Sequence, residues 1–200
     1  MMKLVRETIR RLILESVNTK LSHAMEILED QGLSVSVRTG PEAFLVQILE
    51  EGEQVGYISA EKAGPDHGTV QTPCLGAFIL DYVEVDEHLR GTGIGALLYD
   101  VAMELAGKDG FVSDRASVKP EAARNWNYFY GSEDYIKAPL DTHDGQFTDD
   151  PNDNCQSSHS YVYGSPMIEF QQDPLNNVYY KRDQSQPTIT RLTDLGLIEP

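Results

Sequence analysis

Residues 83–106 read VEVDEHLRGTGIGALLYDVAMELA. A strand-like alternation ending at Val85 gives way to Arg90-Gly91-Thr92-Gly93-Ile94-Gly95, and from Ala96 the apolar residues recur at helical spacing. Glycines in succession let backbone N–H groups converge without a Cβ in the way. The first turn of a helix leaves its N–H groups without intrahelical partners and carries the positive end of the dipole. The two features together predict an anion site, sized for a diphosphate, at residues 91–96. No lysine follows the glycines, so the Walker type of phosphate loop is excluded.

Working outward, the residues before this stretch change period from helical to two. Leu4, Ile9, Leu12, Ile13 and Val17 predict an N-terminal helix, and residues 20–30 a second one stopped by Gly32. LSVSVRT (33–39), AFLVQILE (43–50) and QVGYISAE (54–61) read as strands, the last two joined by a hairpin turn at Glu51-Gly52-Glu53. GPDHGTVQTP (64–73) reads as a loop and CLGAFILDYVEV (74–85) as a long strand. After the glycine helix, FVSD (111–114) reads as a short strand, and Pro120 opens a helix through Gly131. Residues 138–160 are acidic and rich in turn formers; YVYG, MIEF and NVYY beyond them read as short strands, followed by a helix or turn near the end. The order predicts one α/β (α+β) domain over 1–200, divided into N-terminal helices (1–31), a core (33–131) and an acidic loop with C-terminal strands (138–200).

Two diphosphate-binding readings fit the glycines. Gly91, Gly93 and Ala96 match a dinucleotide fingerprint, with Asp114 as the ribose-binding acid, which would make the chain an NAD-binding oxidoreductase. Against it stand the residues DEHLR between Val85 and Gly91 and the antiparallel meander ahead of the turn. The same run also resembles motif A of the GNAT superfamily of acyl-CoA-dependent N-acetyltransferases, through Arg90, Gly93, Gly95 and a valine, Val85, five residues ahead of the arginine. The resemblance implies a mixed, mostly antiparallel splayed sheet flanked by helices, with acetyl-CoA as co-substrate. It implies that the backbones of Val83 and Val85 pair with the pantetheine arm, and that Arg90, Gly91, Thr92, Gly93, Ile94, Gly95 and Ala96 hold the diphosphate. A narrower likeness, carried by Asp114-Arg115, Ser117, Trp126, Tyr128 or Tyr130, and Asp153-Asn154-Cys155, is to GNAT-like proteins of tailed bacteriophages. It implies work in the cytoplasm of an infected bacterium.

Acetyl transfer to an amine needs a neutral nucleophile, a polarised carbonyl and a proton for the leaving thiolate. Strict alternation along the fourth strand puts Asp81 on the face of Val83 and Val85, which makes it the candidate base; Glu84 falls on the other face. For the acid, the family usually has a tyrosine four residues before a glycine. Counting back from Gly131 gives Asn127, so Tyr130, one turn onward on the same helical face, is the candidate acid. The departure at Asn127 keeps a non-catalytic CoA-binding or host-interaction role open.

The remaining features bound the partners. Thirty-two acidic against 16 basic residues give a net charge of −16, which repels nucleic acid and favours a cationic amine acceptor, a lysine side chain or a polyamine. Basic residues threaded through the first 16 positions do not suit a signal peptide, and no window is long enough to span a membrane. With Cys74 and Cys155 the only cysteines, a reducing cytoplasm is expected. No metal is expected: the stretch from Asp150 starts like a calcium loop, but Cys155 and Tyr161 occupy its glycine and glutamate positions. Cys155 with His143 or His159 has no nucleophile motif around it.

Overall fold

β-branched and aromatic residues at every second position make the first strands. β1 (Leu33–Thr39), β2 (Ala43–Glu50) and β3 (Glu53–Lys62) turn Leu33, Val35, Phe44, Val46, Ile48, Ile58 and Ala60 inward. A computed structural model describes residues 20–62, 76–114, 118–139 and 174–199. In it the three strands form an antiparallel meander. The β2–β3 turn is Glu51 and Gly52 at φ 51° and 86°, the two left-handed residues that a tight hairpin requires. Ahead of them, residues 20–31 form a helix, α1, ended by Gly32 at φ 67°.

β4 (Phe78–Val85) pairs antiparallel with β3; a short 3-10 turn (Glu87–Leu89) then leads to α2 (Ile94–Ala106). β5 (Phe111–Val112) returns parallel to β4, and α3 (Pro120–Gly131), β6 (Tyr135–Pro139), β7 (Asn177–Lys181) and α4 (Pro187–Asp194) complete the described elements. The sheet has seven strands in the order β1-β2-β3-β4-β5-β7-β6 and is antiparallel except between β4 and β5.

All four described helices contribute to one core on one face of this sheet. Its aromatic centre is Trp126, whose ring lies 5.4–5.6 Å from those of Tyr99, Phe111, Phe129 and Tyr179. A smaller cluster of Ala77, Ile79, Val112 and Val178 occupies the opposite face. Behind α2 a buried polar knot joins the C-terminal elements. Lys181 Nζ bonds Asp100 at 2.6 Å and also Glu104, while Tyr135 donates to Asp100 at 2.9 Å. Past α4 the chain lies along β1: Leu197 accepts from Val35 N at 2.7 Å, and Glu199 N donates to Val35 O at 2.9 Å.

Three expectations change. The strand read over 74–85 begins at Phe78, because Gly76 turns the chain at φ 102°. FVSD pairs only through Phe111 and Val112. Residues 135–139 form β6, so 138 and 139 belong to the sheet rather than to the acidic segment; a short stretch ending in proline gives no alternation to read. The first predicted helix, the loop at 64–73, Arg115, Ser117, the acidic segment with His143, Cys155 and His159, and the strands YVYG and MIEF lie outside the described residues. Among the described residues no helix is long and apolar enough to cross a membrane.

Candidate active site

The glycines have three different reasons to be glycine. Gly93 sits at φ 95°, and a Cβ there would stand 2.8 Å from the carbonyl oxygen of Lys20 in α1. Gly91 sits at φ 84° in open space. Gly95 has ordinary helical backbone, and a Cβ on it would meet only Val85 Cγ2, at 4.0 Å. The fold itself therefore does not require glycine at 95; the space beside it is left open. The first bond of α2 runs from Leu97 N to Gly93 O at 3.0 Å, so the N–H groups of Ile94, Gly95 and Ala96 precede the helical ladder. Among the described residues no side chain caps this end, and its first turn holds no acid. Arg90 Nε donates to Val85 O at 3.0 Å, and Thr92 Oγ1 donates to Leu89 O at 2.6 Å. These two bonds tie the turn to the end of β4 and leave the terminal nitrogens of Arg90, an exposed residue, facing outward.

β4 opens beside this turn. It pairs with β5 only at Phe78 and Ile79; along residues 80–85 no described strand lies on that side. On its other edge the register with β3 shifts, from Ser59↔Tyr82 to Ala60↔Leu80, so Asp81 is the extra residue of a bulge. The bulge breaks the alternation assumed from sequence. Leu80, Val83 and Val85 pack on the helical face, whereas Ile79 belongs to the opposite cluster. Asp81 accepts a hydrogen bond from Ser59 Oγ at 3.1 Å, on that opposite, outer face. The expectation that Asp81 shares a face with Val83 and Val85 is thus corrected; it shares one with Glu84.

The outer face carries a second feature that alternation did not single out. Tyr57 and Tyr82 stack across β3 and β4 with centroids 5.6 Å apart and planes 12° from parallel. Tyr82 is 47% exposed, and the exposed carboxylates of Asp81 and Glu84 flank the pair. Partial burial first, then Tyr82, Glu84 and Asp81, push the Tyr57 hydroxyl above its ordinary value.

Comparison with protein families matches residues 6–130 to the acetyltransferase (GNAT) family. The chain belongs to the GNAT acetyltransferase family. Comparison with curated proteins and with solved structures gave no match. The family's general co-substrate is acetyl-CoA, and the splayed sheet agrees with its fold. The dinucleotide alternative loses its ground here: four antiparallel strands precede the glycine turn.

In this GNAT domain the α3 residues divide by environment. Asn127, at the position usual for tyrosine, is exposed and bonds back to its own helix through Ala123 O at 2.9 Å. Tyr130 is half-buried in the last turn; Lys137 Nζ stands 4.6 Å from its ring centre and donates to its carbonyl oxygen. The Tyr130 hydroxyl makes no hydrogen bond among the described residues, and nothing described joins it to Asp81. Tyr128 is packed against the aromatic cluster, and burial raises its hydroxyl, opposed by Ser132. Tyr99 is more deeply placed: its hydroxyl and the Trp126 Nε1 are buried without a hydrogen bond of ordinary geometry among the described residues, and burial followed by Asp114 pushes the Tyr99 hydroxyl far up. Asp114, the dinucleotide reading's acid, sits half-buried just past β5.

Proposed function

We propose that this GNAT protein moves an acetyl group from acetyl-CoA to an amine. The observation that carries the reading is the uncapped start of α2, with open space at Gly95, set against the unpaired end of β4. The N–H groups of residues 91–96, Arg90 and the Thr92 turn would hold the diphosphate, and the backbones of Val83 and Val85 would pair with the pantetheine arm. The co-substrate supplies an acyl thioester, whose C–S bond is exchanged for a C–N bond to the amine.

The chain's own residues then manage protons and approach. Helices fill the inner face, so the amine reaches residues 83–85 from the outer face, where Asp81 lies. Asp81 accepts the proton that the amine loses, directly or through water. An N–H at Val85 or its neighbour polarises the carbonyl. Tyr130 is the candidate donor to the departing thiolate, although a thiolate is also stable enough to leave unaided. Positioning then supplies most of the rate. The net charge of −16 favours a cationic acceptor. The likeness to tailed-phage proteins supports a site of action in the bacterial cytoplasm.

A second reading, CoA binding without catalysis, is favoured by Asn127, which faces solvent where the family's tyrosine is expected. One assay separates the two. The protein with acetyl-CoA and a panel of amines should release free thiol, and an Asp81→Asn, Tyr130→Phe double variant should slow release at least tenfold. Tight CoA binding with no thiol released to any amine would favour the second reading.

A further inference from the structure

From the outer face of β3 and β4 we infer that the acceptor is a small diamine or polyamine, held by its second, non-reacting ammonium on the Tyr57–Tyr82 pair. This inference rests on the acetyl-transfer reading and names the acceptor class for that site. Two stacked, partly exposed tyrosine rings lie at a sheet surface, and the face that each turns away from the other is an electron-rich surface of the kind that attracts alkylammonium groups. Asp81 and Glu84 complement that charge from the same face. Among the described residues the protein does not fill the site with its own cation. The cation–ring contacts among those residues are Lys62 over Phe78 and Lys137 over Tyr130.

Position ties the platform to the chemistry. Tyr82 immediately precedes Val83, and the unpaired end of β4 extends roughly 10 Å from Tyr82 to Val85 at about 3.3 Å per residue. An alkyl chain of three to five carbons separates two nitrogens by roughly 5–8 Å, at ordinary bond lengths. A short diamine therefore reaches from the ring pair to residues 83–85, whereas a monoamine of equal length gains nothing from the rings. Asp81 adjoins Tyr82 at the ring end and Glu84 stands among residues 83–85, so the two carboxylates line the outer face along which the diamine would lie. A lysine side chain in a peptide, with one ammonium only, would leave the platform empty.

Titration calorimetry on the full chain in low salt tests this, with 1,4-diaminobutane and n-butylamine as probes and CoA as the control ligand. The wild type should bind the diamine at least tenfold more tightly than butylamine. Tyr82→Ala should abolish that preference; Tyr82→Phe, which keeps the ring, should retain it; Glu84→Gln should reduce it a few fold. Tyr82 is half exposed, so its removal leaves the core intact, and unchanged CoA affinity in each variant confirms the fold. Equal affinities for the two probes, or a preference that survives Tyr82→Ala, would overturn the inference. CoA binding without diamine preference sinks the platform and spares acetyl transfer. Diamine preference without CoA binding sinks acetyl transfer, and with it the acceptor role assigned here.

Discussion

Two helix N-termini in this molecule meet the same physical problem in opposite ways. At α4 the N–H groups of Thr188 and Ile189 donate to the two carboxylate oxygens of Glu104, each at 2.9 Å. Glu104 reaches across from α2, and Lys181 pairs with both it and Asp100. At α2 itself no side chain among the described residues caps the helix, no acid occupies the first turn, and a Cβ on Gly95 would meet only Val85 Cγ2 there, at 4.0 Å. One positive helix end is filled by the protein's own anion, and the other is left for an anion from outside. The same helix carries a carboxylate, Glu104, near its C-terminal end and none in its first turn, so the difference between the two helix starts is written in the sequence rather than in helices in general.

The contrast can be broken at the filled end first. Glu104→Ala removes the cap from α4 and leaves Lys181 with Asp100 alone in a buried setting. Lys181 keeps a balancing partner, but the N–H groups of Thr188 and Ile189 lose their acceptor, so a loss of about 2–4 kcal/mol in unfolding free energy is expected by urea denaturation. Next comes the turn at the open end. Gly93→Ala must adopt φ 95° and push against Lys20 O, which should lower stability by about 1–3 kcal/mol and weaken CoA binding. Gly95→Asp sharpens the comparison, because it makes the open end resemble the filled one. Its carboxylate should change stability by only ~0.3–1 kcal/mol, in the favourable direction, while reducing CoA affinity at least tenfold. A variant as stable as that but with unaltered CoA affinity would mean that the diphosphate sits elsewhere.

The smallest effect lies in the approach to α4. Asp183 accepts from the Ser185 backbone N–H at 2.9 Å, and its bonds to Ser185 hold its carboxyl below the ordinary value. A carboxyl whose folded value is lowered adds stability above its unfolded pKa, and that contribution fades as pH falls through the lower folded value. Asp183 is fully exposed, so Asp183→Asn should shift the denaturation midpoint less than any variant above. The shift should be visible at neutral pH and vanish in acid.

Much of this arrangement was legible in residues 33–131. The strands at 33–39 and 43–50 and the helix at 120–131 fall where alternation, Gly32 and Pro120 put them. The glycine turn was legible too, because close backbone approach restricts which residues can stand there. What eluded the sequence depended on pairing across distance. The bulge at Asp81 moved a candidate base to the other face, and no residue type marks a register shift. The Tyr57–Tyr82 stack follows only once β3 and β4 are aligned. Glu104 and Lys181 lie 77 positions apart, so neither announces the other. β6 had too few residues, and a proline at its end, to show a period.

The central claim is that backbone amides at the start of α2 grip a diphosphate. Calorimetric titration of the protein with CoA and, separately, with pantetheine, which lacks the diphosphate together with the 3′-phosphoadenosine, brackets that contact, and Gly95→Asp assigns the difference to the start of α2. Firm CoA binding is expected, with pantetheine weaker by at least a hundredfold and the gap at least tenfold smaller in Gly95→Asp. Equal binding of the two ligands to the wild type would contradict it.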